Sequence, residues 1–303
     1  MTGALAGDLF TVGSSLCFAI SNITVARGAR PGAEDNGAFI SLIITTLIAG
    51  ALWVALGAAR GFEPVSARAL LWFAGAGAFT AFVGRVFFYA SIENLGAMRS
   101  STMKRLIPFF AVMLGVGVLG ERVTDGMVAG MALIVASFLL LVGGARASHR
   151  RGETSLARGL NIGYVYGPVS ALGYATGYLL RKLGLADAHD ALLGAAIGCL
   201  VGILLFAATA AFSASYARSV RATFARPNPW LVAAGVMSSF GQILYFAALN
   251  ENPMARVALV SSIEVFITLF LGALFLRKSE SLTPALVAAA VLGFAGTAAV
   301  IGF

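Results

Sequence analysis

Charged residues are scarce in this sequence, and cysteine and histidine are nearly absent. Asp, Glu, Lys and Arg make up only 11% of the 303 residues, whereas they make up roughly a quarter of a soluble domain. An ordinary soluble protein is therefore excluded. The 2 cysteines, Cys17 and Cys199, each lie inside an apolar run, so they indicate neither a disulfide nor a metal site. We accordingly predict neither of the two.

Motifs for catalysis and nucleotide binding are missing as well. His149 and His189 fall between apolar runs, most aspartates fall at the ends of such runs, and no glycine-rich loop ends in Gly-Lys-Ser or Gly-Lys-Thr. A membrane enzyme normally places several acids, histidines or metal ligands at one level. We therefore predict a protein that is not an enzyme and needs no cofactor, with a membrane-embedded enzyme as a remote alternative.

What the sequence has in abundance is apolar surface. Hydrophobic residues make up 59% of the chain and the mean hydropathy is +0.90, which excludes intrinsic disorder. The net charge of +8 lies mainly in short gaps between apolar runs, where membrane proteins keep the charges that orient them. We expect membrane lipid as the surroundings and no nucleic-acid partner.

Long apolar runs predict transmembrane helices, because a helix needs about 20 residues to cross about 30 Å of hydrocarbon. Ten such runs are present, and the first is expected to remain as a helix and not to be cleaved as a signal peptide. They span residues 5–26, 37–59, 69–92, 97–119, 124–144, 159–180, 191–212, 230–249, 254–276 and 283–302. Continuous runs of this length favour helices over a β-barrel. The predicted fold class is an all-α membrane protein with ten transmembrane helices.

The two halves of the chain share a pattern. Residues 84–90 read Gly-Arg-Val-Phe-Phe-Tyr-Ala and residues 241–247 read Gly-Gln-Ile-Leu-Tyr-Phe-Ala, and each stretch precedes a polar hinge, a long helix and an acidic turn. Because each half holds an odd number of spans, the second copy enters the bilayer upside down, as in the inverted repeats of secondary transporters. We predict five-helix repeats at 5–144 and 159–302, joined by a basic linker at 145–158.

Three short motifs relate these halves to a known family. They are Pro-Phe at 108–109, Gly-Glu-Arg-Val-Thr at 120–124 and Ile-Glu-Val-Phe at 263–266. This pattern resembles the drug/metabolite transporter superfamily, in its ten-helix form made of two EamA-type domains. The second copy departs from it, since Val265 replaces a usual proline and residues 277–280 replace the compact Gly-Glu turn. The resemblance implies a proton-coupled, gradient-coupled or exchanging carrier of small metabolites, with a cavity lined by helices one, three, four, six, eight and nine.

Four of the charged residues within predicted spans stand out. They are Arg85, Lys104, Arg105 and Glu264. A charge at the bilayer centre costs at least about 2.5–3.5 kcal/mol on insertion scales, so each one calls for a reason. The helical rise places the three cations about 10–14 Å from the turn between the third and fourth spans, and Glu264 roughly 15 Å from the opposite face. We expect Arg105 to face inward with Arg85 and Glu264, and Lys104 to line the cavity edge or snorkel; the reverse assignment of the two neighbours stays open.

A positive level at mid-depth suits a carboxylate or phosphate, which a guanidinium binds with two hydrogen bonds. Polar and aromatic residues on similar faces complete the predicted substrate site, namely Tyr89, Tyr174, Gln242 and Tyr245. Two alternatives remain open. The charges could neutralise one another as structural ion pairs, or Glu264 could carry a coupling proton. A row of tyrosines is also typical of plain packing with one wet edge.

Glycines recur at four-residue spacing, for example at Gly126 and Gly130 and at Gly173 and Gly177. Such rows let helices approach closely in lipid. We favour tight packing within one bundle, with a homodimer formed through one of these faces as the alternative.

The predicted function is secondary-active transport of small metabolites, amino acids or related organic anions, by alternating access around a central cavity and in the direction of efflux. We expect a multi-pass protein of the cell (inner) membrane with a small-molecule substrate. The alternatives are a channel-like or lipid-handling protein that uses the same cavity, and a sensor or scaffold. Basic residues concentrate in the loops opposite the termini, which places both termini outside the cytoplasm, whereas the resemblance implies cytoplasmic termini.

Overall fold

The computed structural model describes residues 2–28, 37–62, 64–95, 106–149, 162–225, 227–275 and 284–302, and within these ranges it contains helices and no strand. The helices are α1 (Thr2–Gly28), α2 (Ala38–Arg60), α3 (Ala67–Gly77), α4 (Gly84–Leu95), α5 (Ile107–Leu119), α6 (Asp125–His149), α7 (Gly163–Ala188), α8 (Ala191–Phe212), α9 (Ala214–Ala225), α10 (Pro229–Glu251), α11 (Met254–Ser261), α12 (Ile263–Phe275) and α13 (Pro284–Gly302). A π-helical segment, Ala78–Val83, joins α3 to α4. The predicted all-α class is confirmed for the described residues.

Several helices have the length and composition of membrane spans. Six such stretches occur in the described residues, and shorter apolar helices follow at Ile107–Leu119, Asp125–Leu140 and Val287–Gly302. Large apolar side chains such as Leu71, Phe212 and Phe270 are exposed on these helices, as expected where the surrounding medium is hydrocarbon. These helices indicate a multi-pass membrane protein, and the total of ten spans stays a prediction.

Local chemistry fixes several helix ends. Asp190 accepts a hydrogen bond from the Leu193 amide at 2.9 Å at the start of α8, and Ser66 caps α3 through the Ala69 amide at 3.0 Å. Gly120 ends α5 in the left-handed region, with φ 65°, where a side chain would be strained. α8 begins and ends at the predicted residues, 191 and 212.

Two predicted segments differ from the structure. The sixth predicted span ends at residue 180, but α7 continues to Ala188, because the Leu-Leu-Arg-Lys-Leu stretch from residue 179 consists of strong helix formers. The basic stretch that contains Arg218 and Arg221 was predicted as a loop and instead forms α9, with Tyr216 and Val220 packed against the buried core of its unit.

The chain forms two compact units, and each unit takes helices from both halves of the sequence. Unit 1 comprises Met1–Phe82 and Thr176–Asn252, and unit 2 comprises Val83–Ala175 and Pro253–Phe303. The chain thus passes from one unit to the other inside the π-helical segment, inside α7, and between Asn252 and Pro253. Two of these passages lie within helices that were each predicted as one span.

Unit 1 is built on close contacts of α1 with α10, of α2 with α8 and α10, and of α3 with α8. Hydroxyl groups bridge α1 to α10, since Ser14 Oγ donates to the Gly241 carbonyl at 2.7 Å and Ser21 Oγ to the Ala234 carbonyl at 2.9 Å. These bonds satisfy the buried hydroxyls and hold the helix pair in register.

Unit 2 is built on the packing of α6 against α13 and of α5 against α11. A Cβ added at Gly130 would lie 2.6 Å from the Gly296 carbonyl oxygen, and one added at Gly296 would lie 2.9 Å from the Gly130 oxygen. Ser137 Oγ donates to the Ala289 carbonyl at 2.6 Å on the same helix pair. The packing role predicted for Gly130 is confirmed, and the homodimer stays a prediction.

Candidate substrate-binding site

The predicted site residues fall into three groups. Lys104 and Arg105 lie outside the described residues, and so does the side chain of Tyr89 in α4. Arg85, Tyr174 and Glu264 belong to unit 2. Gln242 and Tyr245 belong to unit 1, where they share one cluster.

Arg85 is the second residue of α4, directly after the π-helical segment, and its side chain is partly buried. Its Nη1 atom is buried and finds no hydrogen-bond partner among the described residues. No ion pair joins Arg85 to Glu264, although both side chains are described. A buried guanidinium N–H without an acceptor is energetically costly in a membrane protein. A ligand that accepts a hydrogen bond from Arg85 would offset this cost.

Tyr174 packs against the backbone of Gly84 within unit 2, where an added Cβ at Gly84 would lie 2.8 Å from the tyrosine ring. Ser170, one turn earlier on α7, donates from Oγ to the Gly84 carbonyl at 2.6 Å. Tyr166 also contacts α4, with its ring centroid 5.7 Å from that of Phe87. Tyr166 and Tyr174 therefore contribute to helix packing. This is one of the two roles that the sequence predicted for the row of tyrosines.

Glu264 lies in the first turn of α12, immediately after a break in the ninth predicted span. Helix α11 ends at Ser261, and the Ser262 amide turns back to the Leu259 carbonyl at 3.1 Å. The interruption places a partly buried carboxylate at a helix start, where the helix dipole favours negative charge. Interrupted helices of this kind are typical of binding regions in transporters.

Unit 1 contains a buried cation that the sequence analysis missed. Arg181 is only 6% exposed and lies in the last third of α7, whereas the predicted span ended one residue before it. Its Nη1 donates to Gln242 Oε1 at 2.9 Å, and its Nη2 lies 3.4 Å from Thr80 Oγ1 in the π-helical segment. Its Nε is buried and has no hydrogen-bond partner among the described residues.

Three aromatic rings surround this guanidinium. Its central carbon lies 4.6 Å from the ring centroid of Phe246, 5.3 Å from that of Tyr178 and 5.9 Å from that of Tyr245. The two tyrosine rings also contact each other, with centroids 4.8 Å apart. We call this group the Arg181 cluster, and it consists of Thr80, Tyr178, Arg181, Gln242, Tyr245 and Phe246.

The Arg181 cluster stabilises a cation without neutralising it. Aromatic faces attract a guanidinium through their quadrupoles, and amide and hydroxyl oxygens accept its hydrogen bonds, but none of these groups carries a charge. In the part of the chain that the structure describes, no carboxylate pairs with Arg181. Helical spacing was the available signal, because Tyr174, Tyr178 and Arg181 follow at i, i+4 and i+7 on one face of a helix.

Comparison with known proteins identifies the family. The sequence matches the model of the EamA-like transporter family over residues 5–143 and again over residues 161–302. This chain belongs to the EamA-like transporter family. The predicted resemblance is confirmed, and the chain is a membrane transporter of small molecules with two EamA-type repeats. Members of this family are transporters and not enzymes, as the sequence predicted.

Comparison with solved structures supports the fold. A solved structure described only as the crystal structure of a protein is similar, with 17% identity, a TM-score of 0.70, and coverage of 97% of this chain and 95% of that chain. At this identity the likeness concerns the fold alone. No curated protein matches the sequence.

In this EamA-like transporter, the Gly-Glu-Arg turn at residues 120–122 stabilises the start of α11. Glu121 accepts hydrogen bonds from the backbone amides of Met254 at 2.6 Å and Ala255 at 2.8 Å, and so caps α11 within unit 2. The corresponding turn of the second repeat, residues 277–280, lies outside the described residues. The family motif therefore supports the start of a helix in the other half of the sequence.

Proposed function

We propose that this EamA-like transporter is a secondary-active carrier that exports amino acids or related organic anions across the cell (inner) membrane by alternating access. In this proposal ten transmembrane helices form two five-helix repeats, residues 5–144 and 159–302, with inverted orientations in the membrane. Both the family membership and the odd number of predicted spans in each half support that arrangement.

The observation that carries the mechanism is where the chain passes between the compact units. One passage falls inside the π-helical segment Ala78–Val83 and another inside α7, between Gly173 and Gly177. π-Helical segments often mark functional sites, and a few residues at such points can absorb the backbone change of a moving unit. We infer that these passages act as hinges while the substrate site opens to one side and then to the other.

The substrate contacts that we propose are the residues predicted from the sequence. Arg85, Lys104 and Arg105 would bind the negative group, Glu264 would bind or compete for these cations, and Tyr89, Tyr174, Gln242 and Tyr245 would form the polar and aromatic wall. The buried Nη1 of Arg85, which has no acceptor among the described residues, supports this assignment. Arg181 pairs with no carboxylate among the described residues, and this buried cation further favours an anionic substrate over a cationic one.

Counterflow in reconstituted vesicles tests the proposal. Purified protein is inserted into vesicles loaded with unlabelled phenylalanine or succinate, and uptake of the labelled compound is measured against empty vesicles. A carrier accumulates label transiently because the internal pool drives exchange. Flux without stimulation by the internal pool would indicate a channel, lipid redistribution without solute flux would indicate a lipid-handling protein, and no flux over a wide panel would favour a scaffold.

The direction of transport is tested separately in cells. Overexpression should lower the internal level of the compound that shows counterflow and raise its level in the medium. A rise of the internal level would contradict efflux while leaving the carrier mechanism in place.

A further inference from the structure

We propose that the Arg181 cluster is a carboxylate-binding site, and that its occupant is a small organic acid whose apolar or aromatic body packs on Tyr178, Tyr245 and Phe246. The site is distinct from the cations predicted from the sequence and lies wholly within unit 1. The inference rests on the proposed function and deepens it, because it adds a second point, apart from the cations predicted from the sequence, at which the carrier binds the acidic group of an organic acid.

The burial of Arg181 is the first reason. The residue is 6% exposed, and in the described part of the chain no carboxylate compensates its charge. A charge in this position needs a partner, since arginine cannot lose its proton under ordinary conditions. A bound anion would supply the missing countercharge.

The hydrogen-bonding geometry of the guanidinium is the second reason. Nη1 is committed to Gln242 at 2.9 Å, which fixes the orientation of the side chain. The opposite edge is largely unused, because Nε has no partner among the described residues and Nη2 has only the 3.4 Å contact with Thr80. The Nε and Nη2 hydrogens point in parallel and match the two oxygens of a carboxylate.

The composition of the surroundings is the third reason, and it selects the ligand class. Apolar rings line the cation at 4.6–5.9 Å and favour a ligand with an apolar body. Lys182, the next residue, is already bonded to the carbonyls of Leu249 and Asn252. Among the described residues of the cluster, Arg181 supplies one positive charge. That charge balances a monovalent carboxylate, whereas a divalent phosphate would keep an uncompensated negative charge.

Binding to the purified full-length protein tests this site directly. The probes are hydrocinnamate and benzoate, their uncharged amides, and inorganic phosphate, and the readouts are calorimetry and ligand-induced thermal stabilisation. We expect the carboxylates to bind at least tenfold more tightly than the amides or phosphate. Failure of both carboxylates to bind, or equal binding of the amides, would overturn the proposal.

Three variants connect that binding to the cluster. Arg181→Gln should abolish carboxylate binding, and Arg181→Lys should weaken it at least tenfold because lysine lacks the paired donors. Gln242→Glu places an internal carboxylate on Nη1, so the protein should stay folded, with an unchanged or higher Tm, while carboxylate binding falls at least tenfold. The last variant keeps the test decisive if Arg181→Gln does not fold. Undiminished binding by Gln242→Glu would exclude the site.

Arg256→Gln is the matched control. Arg256 is a partly buried cation of unit 2 that donates from Nη2 to the Ile301 carbonyl at 2.9 Å, and the control should bind the carboxylates as the unaltered protein does. Failure of this inference and failure of the proposed function can be told apart. Carboxylate binding without counterflow would leave the site in place and contradict the carrier, whereas counterflow of an organic acid that is undisturbed in Gln242→Glu would retain the carrier and reject the site.

Discussion

Glu121 accepts a hydrogen bond from the backbone amide of Met254 at 2.6 Å, across 133 positions of sequence. Met254 is the first residue of α11, and the preceding Pro253 provides no side-chain cap. The first amides of a helix have no partner inside it, so a distant carboxylate supplies what the local sequence lacks. The turn that marks the family in the first repeat thereby fixes the start of a helix in the second.

Replacing Glu121 should reveal this cap as a loss of stability. Glu121→Ala leaves two buried amides without acceptors, and we expect a destabilisation of about 1–3 kcal/mol. Glu121→Gln retains one acceptor oxygen and should cost less. Thermal unfolding in detergent measures both. Arg122→Ala alters the adjacent, exposed residue and should leave the Tm unchanged; an equal loss in that variant would contradict a specific role for Glu121.

Lys182 stabilises the C-terminal end of α10, within unit 1. Its Nζ donates to the carbonyls of Leu249 and Asn252, the latter at 2.9 Å, where α10 ends. Cations stabilise the carboxyl ends of helices, so Lys182→Met should lower the stability by about 1–2 kcal/mol. Lys182→Arg keeps charge and donors and should lose less, as measured in the same unfolding assay. A stable Lys182→Met variant would show that these carbonyls need no charged partner.

Much of the fold follows from hydropathy, because a long, continuously apolar helix is stable in the hydrocarbon core of a membrane. α8 begins and ends where its apolar run begins and ends. α7 was placed too short because Arg181 and Lys182 lower the local hydropathy, and a linear pattern cannot show that Gln242, aromatic rings and backbone carbonyls surround these cations. α9 was missed for a related reason, since Arg218 and Arg221 obscure the packing positions Tyr216 and Val220.

The site is predictable only in part, because the sequence displays residue types but not their partners. Gln242 and Tyr245 were selected from the sequence and do lie in one cluster. The buried cation that joins them was assigned to a loop. Tyr174 was selected as well, yet its ring packs on Gly84, and spacing alone does not distinguish a packing tyrosine from a binding one.

Gly130 is a position where even one methyl group should be harmful. In Gly130→Ala the added Cβ would lie 2.6 Å from the Gly296 oxygen and would also meet Val300, so α6 and α13 must separate. We expect a destabilisation of about 1–3 kcal/mol. The matched control is Gly117→Ala, because an added Cβ there meets nothing within 4 Å, and alanine favours a helix by about 1 kcal/mol over glycine. Opposite shifts of Tm are therefore expected, and a stable Gly130→Ala variant would mean that this helix pair yields easily.

Substitution of Arg85 distinguishes a role in substrate binding from a role in stabilising the fold. Its Nη1 has no acceptor among the described residues, so Arg85→Gln removes no observed hydrogen bond of that atom. The Tm should not fall, because a buried donor without an acceptor destabilises the fold. If Arg85 binds the negative group of the substrate, counterflow of an organic acid should fall at least tenfold, because a charged hydrogen bond is worth about 1.5–3 kcal/mol. Arg60→Gln changes an exposed arginine at the end of α2 and serves as the control for charge alone. Full counterflow in Arg85→Gln would remove Arg85 from the substrate site, whereas a large loss of Tm would assign it to the fold.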